Sequence, residues 1–284
     1  MDRPSYSLCY TALDRHKQMY PVLFHFGPFT IYSFGAFMAL AALSAAWVVH
    51  AELKRHGYNP ELASTMVFAA AIGGLAGARL LFIVEEWSNF IRSPWDFIFT
   101  GAGFTWYGGF LGGVLAVSWV VKKNKIPWLI AADIAAPALA VGYGIGRLGC
   151  HVAGDGDWGT VTNVPWGVAY TKAIIGWVDP STGIPYPPGT RVHPTPIYEF
   201  LEAAMIFAIL WALRKKDYSA GTLFWLYLAL AGLARLVVEF WRVNSVLALG
   251  LTEAQWFSLV MVIVGTWQLL RAGRVKAKVA TTQV

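Results

Sequence analysis

The chain has 284 residues, of which 57% are hydrophobic and only 13% are charged. An average soluble domain is about 45–50% apolar and about 25% charged, so a soluble domain of this size is excluded, as is a disordered chain, which would hold fewer apolar residues. The mean hydropathy of +0.51 predicts a polytopic membrane protein.

Seven stretches are apolar and long enough to cross a bilayer, which takes about 20 residues of helix. In chain order they are 30–49, 62–84, 104–121, 128–149, 194–213, 220–241 and 253–271. Residues 89–100 are too few to span and contain a central proline, so we predict an interfacial segment there. The expected fold is all-α, with seven transmembrane helices in a single integral membrane domain over residues 1–284.

The distribution of lysine and arginine predicts the orientation, because short cytoplasmic loops carry an excess of both. Twelve of the 22 lie in or at the edge of 50–61, 122–127, 214–219 and the basic tail 272–284. Seven others are spread over longer segments on the opposite side. We therefore expect a cytoplasmic C-terminus and an outer N-terminal segment, residues 1–20, which has no apolar core and is not read as a cleaved signal peptide. The long loop 150–193, rich in glycine and proline, is then outside.

Ionisable residues at membrane depth are costly and are functional candidates by default. Most of them fall near the outer ends of their predicted spans: Arg79, Arg147, Glu199, Glu202, Arg235 and Glu239. His193, Trp106 and Tyr107 lie at the same side, whereas Asp133 is closer to the cytoplasmic end. The sequence therefore predicts a site in the outer-leaflet half of the membrane.

Arg235, Glu239 and Arg242 follow one another at i, i+4 and i+7, which places them on one face of a helix. One interpretation is a structural ion pair between Glu239 and Arg235, with Arg242 at the membrane interface. The other is an anion site in which Glu239 holds Arg235. Arginine suits phosphate because its planar fork of donors binds two oxygens at once.

The fourth predicted span ends in a glycine-rich segment that contains Arg147. Gly142 and Gly146 form a GxxxG pattern, which is typical of close helix packing and also lets a lipid headgroup approach the backbone. Asp155 and Asp157 follow in a turn, where they are either acid/base groups or solvated carboxylates; for Asp157 the solvated reading is the better one.

Two further groups carry open alternatives. Gly73, Gly74 and Gly77 indicate helix packing, and Arg79 after them either reaches an outer-leaflet phosphate by snorkelling or snorkels without function. His193, Tyr198 and Glu199 either form a hydrogen-bonded set at the site, or His193 and Tyr198 are interfacial anchors. A third open point is a disulfide between Cys9 and Cys150, which the outer location permits and the spacing does not demand. No metal motif, soluble cofactor or nucleic-acid partner is expected.

Seven segments occur in an order that is typical of one family. They are YPVLFHFGPFTIYSFG (20–35), GARLLFIVEEW (77–87), FTWYGGFLGG (104–113), KIPWLIAADIAAPALAVGYGIGRLGC (125–150), HPTPIYEF (193–200), GTLFWLYLALAGLARLVVEFWR (221–242) and LTEAQWFSLVMVIVG (251–265). Together they resemble the phosphatidylglycerol–prolipoprotein diacylglyceryl transferases. The resemblance implies a membrane enzyme that moves the diacylglyceryl group of phosphatidylglycerol onto the lipobox cysteine thiol of an exported prolipoprotein, and releases glycerol phosphate.

The resemblance also implies roles for individual residues. Arg147 matches the arginine of the family signature, Arg235 the essential arginine of the later span, and Glu239 its helical partner. The HPTxxYE block is matched by His193, Tyr198 and Glu199, and the glycine that closes the signature by Gly159.

Four positions depart from the family pattern. Tyr107 replaces a histidine regarded as important for catalysis, and Phe34 and Ala231 stand where tyrosines are typical. Cys150 replaces an asparagine, and Asp155 is nearest to the usual glutamate. The general base is therefore open, since a phenol is a poor base at neutral pH. His193, His151 and the carboxylates of Asp155 and Glu199 are better candidates.

The residues and the resemblance lead to one hypothesis: Arg147 and Arg235 bind the phosphate, and His193 or a nearby carboxylate takes the thiol proton. Arg79, Asp155, Gly159, Tyr198 and Glu199 are the further candidates for substrate binding. The alternatives are a non-catalytic lipid-binding or transport protein on the same scaffold, and a transferase that uses another phospholipid donor.

Overall fold

The structure is a computed structural model that describes residues 19–27, 29–99 and 103–282, with side chains described up to residue 272 apart from 96, 98 and 99. Nearly all of the predicted outer segment 1–20, Cys9 with it, lies outside the described residues. The same holds for the side chains of the basic tail 272–284 beyond its first residue.

Helices dominate the described residues. They are α1 (Ser33–Arg55), α2 (Leu62–Glu85), α3 (Trp87–Arg92), α4 (Pro94–Phe99), α5 (Trp106–Lys123), α6 (Trp128–Ala153), α7 (Thr195–Leu213), α8 (Thr222–Val238) and α9 (Glu253–Thr282). A 3-10 turn, Glu239–Trp241, continues α8. Two antiparallel pairs of strands complete the set: β1 (Val22–Phe26) with β2 (Phe29–Tyr32), and β3 (Val246–Ala248) with β4 (Leu251–Thr252).

Within the described residues, five helices are long and apolar enough to cross a membrane: α1, α2, α6, α7 and the continuous segment Thr222–Trp241. They confirm a mostly helical, polytopic membrane protein. The other two predicted spans, 104–121 and 253–271, are also helical, as α5 and α9. The count of seven spans and their orientation stay predictions.

The fold differs from the prediction in two places. It is not purely helical, because residues 30–32 belong to β2 and a second hairpin precedes α9. Within the predicted interfacial segment, residues 89–99 are helical on both sides of a break at Ser93, where the following proline disfavours a helical conformation of the residue before it; the interfacial location stays a prediction. Helix α6 continues to Ala153, so that Cys150 lies in a helix and not in the loop 150–193.

The chain forms two compact units, of which the second comprises Ala42–Leu139 and Asp217–Phe224. Its centre is the contact between α2 and α5, where glycines let the two backbones touch. A Cβ atom on Gly73 would lie 2.6 Å from the carbonyl oxygen of Gly112, and one on Gly77 would collide with the carbonyl oxygen of Gly108. The packing interpretation of the glycines in the second predicted span is therefore confirmed.

Asp133, the ionisable residue predicted near the cytoplasmic end, caps the start of α8 within this second unit. Its carboxylate accepts hydrogen bonds from the backbone N–H groups of Gly221 (2.6 Å) and Phe224 (2.8 Å). The first N–H groups of a helix have no partner inside the helix, so a carboxylate is stabilising there. The structure thus gives this buried charge a structural role.

The first unit comprises the described parts of Met1–Ala41, Ala140–Lys216 and Trp225–Val284. The long loop within it has a core of its own, in which Met19, Trp158, Val168, Tyr170 and Val192 are buried. The rings of Trp158 and Tyr170 stack with centroids 5.0 Å apart. This turn-rich segment is therefore a folded cap and not a flexible connection, and it holds the residues around 157 in place.

Candidate active site

Three helix ends of the first unit bring the predicted site residues together. Arg147 lies near the C-terminal end of α6, Glu199 near the start of α7, and Arg235 near the end of α8. The N-terminal end of α7 is next to the C-terminal ends of α6 and α8. Arg147, Glu199 and Arg235, which the sequence predicts at the same side of the membrane, therefore lie close together. The positive end of the α7 dipole favours anions at this point.

The buried carboxylate of Glu199 is the centre of the site, with a side chain only 1% exposed. Its Oε1 accepts hydrogen bonds from Arg235 Nη1 (2.6 Å) and from the Tyr143 hydroxyl (2.8 Å). Its Oε2 is 3.1 Å from Arg242 Nη1 and 3.4 Å from Arg147 Nε. One buried glutamate therefore contacts three guanidinium groups and supplies part of the negative charge that they need.

Asp157 ties two of these arginines together from the loop side. Its carboxylate pairs with Arg147 and, at 2.6 Å, with Arg242 Nη2. Burial would raise the pKa of Asp157, but the positive charges of Arg242 and Arg147 outweigh it and hold this pKa below its usual value. The interpretation of Asp157 as a solvated turn residue is therefore wrong: it is a charged partner of the arginines.

Arg242 is the site residue that the sequence interpretation placed at the interface instead. Its side chain is 9% exposed and contacts both Glu199 and Asp157. The 3-10 turn Glu239–Trp241 ends α8 just before it, and a backbone bridge to Gly159 turns it inward. The spacing of i+7 from Arg235 was the sequence signal for this position.

The ion pair between Arg235 and Glu239 is confirmed, with Arg235 Nη2 2.9 Å from Glu239 Oε2. The other oxygen of Glu239 accepts hydrogen bonds from Asn244 Nδ2 (2.7 Å) and Thr252 Oγ1 (2.6 Å). Glu239 is itself buried. The ion-pair interpretation of Arg235 and Glu239 is therefore confirmed, whereas the anion-site interpretation stays a prediction.

The cluster is formally neutral, with three guanidinium groups against the carboxylates of Glu199, Asp157 and Glu239. The side chains of Arg147 and Arg235 are 20% and 24% exposed, more than twice the exposure of Arg242. Arg147 and Arg235 are therefore the more accessible arginines of the cluster, and Arg242 is the most buried.

Gly159 joins the cap to the cluster through its backbone. Its N–H donates to the His193 carbonyl oxygen at 2.9 Å, and a Cβ atom here would collide with the Trp241 carbonyl oxygen and lie 2.8 Å from Thr195 Cγ2. The structure thus shows a close backbone approach at Gly159, and the role of this residue in substrate binding stays a prediction.

Replacing Gly159 with alanine should destabilise the protein by about 1–3 kcal/mol, because the nearest obstructing atom is the backbone carbonyl oxygen of Trp241, which cannot move aside. The measurement is the midpoint of thermal unfolding in detergent. Gly35→Ala is the matched control, since nothing lies within 4 Å of the added Cβ atom. Equal midpoints for the two variants would contradict the close approach.

His193 and Tyr198 form a second group beside the cluster. His193 Nδ1 is 3.0 Å from the Tyr198 hydroxyl, which also accepts a hydrogen bond from Trp166 Nε1 at 2.7 Å. The pairing of His193 with Tyr198 is as predicted, whereas Glu199 bonds to the arginines instead. Burial lowers the pKa of His193 from its ordinary 6.5, which keeps its ring neutral near pH 7.

A largely apolar groove of about 840 Å³ opens next to this pair. Tyr198, Trp166 and Trp241 lie along it, together with Leu201 and Val237. Tyr198 directly precedes Glu199 in the chain and Trp241 directly precedes Arg242, so the groove adjoins the charged cluster through these neighbours.

Asp155 lies in the same turn as Asp157 and outside the arginine cluster. Its Oδ1 accepts a hydrogen bond from the backbone N–H of Asp157 at 3.3 Å. Cys150, Asp155 and Asp157 each bring one potential ligand atom to within 4.8 Å of the others, but Asp157 is already held by two arginines. His151, which follows Cys150 in the chain, forms a hydrogen bond between its Nδ1 and the Tyr170 hydroxyl at 2.9 Å.

Arg79 and Tyr107 belong to the second unit. Arg79 Nη1 donates to the Gly103 carbonyl oxygen at 2.9 Å, and its guanidinium faces the rings of Phe82 and Phe104. Tyr107 is 38% exposed at the start of α5.

Comparison with known proteins gives a consistent picture. Residues 21–271 match the family model for prolipoprotein diacylglyceryl transferase. The chain is 34% identical over 249 residues to a phosphatidylglycerol–prolipoprotein diacylglyceryl transferase of Clostridium tetani, covering 87% of this chain and 95% of the relative. Relatives with the same name are found in Geobacter sulfurreducens (34%, covering 78% of this chain and 82% of the relative) and Methylobacillus flagellatus (30%, covering 90% and 97%). This chain therefore belongs to the prolipoprotein diacylglyceryl transferase family.

Proposed function

We propose that this protein transfers the diacylglyceryl group of phosphatidylglycerol to the lipobox cysteine thiol of an exported prolipoprotein. The donor and the general class of acceptor are those in the names of its relatives. The lipobox cysteine, within the signal peptide, is the nucleophile that the reaction requires.

The observation that carries this proposal is the pair of partly exposed guanidinium groups, Arg147 and Arg235, fixed on one buried glutamate. Glu199 and Glu239 hold the two arginines in place before a ligand arrives. A phosphodiester would bind to two guanidinium groups whose N–H donors are already oriented. Such preorganised donors best stabilise negative charge as it develops in a transition state. Asp157 is the most exposed carboxylate of the cluster and is the partner that a phosphate would displace.

The reaction forms one bond and breaks one. The thiolate sulfur attacks C3 of the diacylglycerol moiety, and the carbon–oxygen bond to phosphate breaks, which leaves a thioether and glycerol phosphate. The phosphodiester carries one negative charge and the departing monoester carries two, so charge increases on the oxygens next to Arg147 and Arg235. The thiol proton must go to a base, because the thiolate is the nucleophile and a free thiol has a pKa of about 8.5.

His193 is the proposed acceptor of that proton. The lowered pKa of its ring keeps it neutral and able to accept a proton near pH 7, and Tyr198 fixes its orientation. For Nε2 to accept, Nδ1 must carry the ring hydrogen and donate it to the Tyr198 oxygen. The alternative acceptor is a carboxylate, for which Asp155 and Asp157 are the candidates.

The pH dependence of kcat/KM separates these two acceptors. A His193 base makes activity fall as the pH is lowered through a midpoint below 6.5, because protonation removes the free base. His193→Gln should reduce the rate and remove this acid limb. A limb that persists unchanged in His193→Gln would contradict the assignment and favour a carboxylate.

The remaining candidates complete the proposed site. Gly159 and Tyr198 act by holding the cap and His193 in position. Asp155 orders the turn that carries Asp157. For Arg79 and Tyr107 we keep the roles expected from the sequence, a substrate-binding residue and a catalytic residue, respectively.

We further propose the full topology expected from the sequence. It has seven spans, with α5 and α9 as the two beyond the five apolar helices, in a single membrane domain over residues 1–284. The N-terminus is outside and the C-terminus in the cytoplasm, which places the site at the outer leaflet of the bacterial inner membrane. The basic residues of the loops support this orientation.

Complementation of a conditional transferase deletion tests the function in the cell. We expect the wild-type chain to restore growth, and Tyr107→His and Tyr107→Phe to show whether the phenol contributes. Failure to restore growth despite good membrane expression would refute the transferase proposal and favour a lipid-binding or transport protein. Transfer from a phospholipid other than phosphatidylglycerol would show that the proposed donor lipid is wrong.

A further inference from the structure

Two polar residues outside the helices hold Glu239 from the side opposite to Arg235. Oε1 of Glu239 accepts hydrogen bonds from Asn244 Nδ2 (2.7 Å) and Thr252 Oγ1 (2.6 Å), while Oε2 faces Arg235 Nη2 at 2.9 Å. Because neutral donors already occupy one oxygen, the other oxygen is left for the arginine. Oε1 of this buried carboxylate is thus held by two hydrogen bonds, whereas Oε2 is held by the charge of Arg235 without a hydrogen bond.

The two donors come from the ends of the β3–β4 hairpin. Strand residues Val246 and Thr252 are paired, and the two-residue turn between the strands has positive φ at both Leu249 (52°) and Gly250 (75°). Positive φ at both central residues is the geometry that matches the twist of an antiparallel hairpin. The turn therefore brings the segment before β3, with Asn244, alongside Thr252.

Thr252 is also the cap of α9, and this fixes the direction of its hydroxyl group. The Thr252 N–H donates to Gln255 Oε1 at 2.9 Å, and the Gln255 N–H donates to Thr252 Oγ1 at 3.3 Å, which together form a capping box. Since Oγ1 accepts from the helix, its single hydrogen is free to be donated to Glu239. The start of α9, whose dipole is positive there, is thereby joined to the same carboxylate.

We propose that Asn244 and Thr252 are positioning residues for Arg235, and that they act through Glu239. This inference rests on the proposed function, in which Arg235 binds the phosphate. The hairpin holds the Glu239 carboxylate in one orientation, the carboxylate holds Nη2 of Arg235, and Nη1 of the same guanidinium remains on Glu199. Without the hairpin donors, Glu239 would rotate to find other partners and Arg235 would lose its fixed orientation.

The test removes each donor while keeping the shape of the side chain. Thr252→Val and Asn244→Leu should each lower kcat for diacylglyceryl transfer about 10-fold, which is the rate equivalent of one hydrogen bond to a charged group. Thr252→Ser keeps the hydroxyl and should restore the wild-type kcat. Gln255→Leu is the matched control: it breaks the other half of the capping box, leaves the hydroxyl on Glu239, and should keep the wild-type kcat.

A double-mutant cycle separates positioning from a general effect on stability. In a Glu239→Gln background, Thr252→Val should cause no further loss, because the path to Arg235 is already broken. A second measurement is the affinity for glycerol phosphate, determined by calorimetry in detergent. This affinity should weaken in Thr252→Val and stay unchanged in Gln255→Leu.

Two results would overturn the inference: wild-type kcat and affinity in both donor variants, or an equal loss with and without Glu239. A wild-type chain that binds glycerol phosphate but transfers nothing would instead refute the transferase proposal. The glycerol phosphate affinities would then still decide whether Asn244 and Thr252 position Arg235.

Discussion

Replacing Glu199 with glutamine should abolish most of the transfer activity and destabilise the fold. The substitution keeps the size of the side chain but leaves the three guanidinium groups with only Asp157 and Glu239 as counter-charges. Removing one partner from a buried ion pair typically costs about 3–5 kcal/mol, because the remaining charge is uncompensated. We therefore expect a markedly lower unfolding midpoint in detergent and a kcat reduced by about 100-fold or more.

The matched control for this variant is Glu61→Gln. Glu61 is an exposed residue before α2 and makes no side-chain hydrogen bond to cap that helix. The Glu61→Gln variant should keep both the wild-type unfolding midpoint and the wild-type rate of transfer. If Glu199→Gln behaved like Glu61→Gln, Glu199 would not be the centre of the cluster.

Replacing Arg147 or Arg235 with lysine should reduce kcat by about 10²–10³-fold, the loss that follows removal of one donor to a developing negative charge. Lysine keeps the positive charge but cannot present two parallel donors to a phosphate, and it cannot at once contact its carboxylate partners in the same geometry. The measurement is the rate of lipid transfer to a peptide acceptor in detergent at saturating phosphatidylglycerol.

Two further variants serve as comparisons for this prediction. Arg191→Lys makes the same chemical change at an exposed position of the loop and should leave kcat unchanged. Arg242→Lys should lower the unfolding midpoint more than the exposed-site variants do, because Arg242 is the least exposed arginine of the cluster. Wild-type kcat in both Arg147→Lys and Arg235→Lys would show that neither guanidinium stabilises the reacting phosphate.

Much of the helical architecture is predictable from the sequence, because an apolar run long enough to cross a bilayer leaves few alternatives to a helix. The positions of Arg147, Glu199 and Arg235 near the ends of such runs also predict that they meet. For these charged residues the sequence predicts how deep each one lies in the membrane. Depth alone restricts the possible partners of a charged residue to a few.

The errors arise where the pattern of apolar residues stops. Asp157 follows a glycine-rich turn, and nothing local distinguishes a solvated carboxylate from one that reaches back to Arg147 and Arg242. The inward turn of Arg242 depends on a single 3-10 turn and on a bridge to Gly159, which is 83 residues earlier in the chain. Such long-range contacts are set by the folded cap and have no signature in the nearby sequence.

The two hairpins were missed for a related reason. Their strands have two to five residues, and short apolar strands cannot be distinguished from the ends of apolar helices by periodicity alone. The β3–β4 hairpin has a functional consequence, because it carries Asn244 and Thr252 to Glu239.

The most direct test of the central claim is the analysis of the products of the purified protein in phosphatidylglycerol vesicles with a synthetic lipobox peptide. Mass spectrometry should detect a diacylglyceryl thioether on the peptide cysteine and an equal amount of glycerol phosphate with the wild-type chain, and neither product with Arg147→Ala or Arg235→Ala. Thioether formation at the wild-type rate in both arginine variants, or none with folded wild-type protein, would contradict the account.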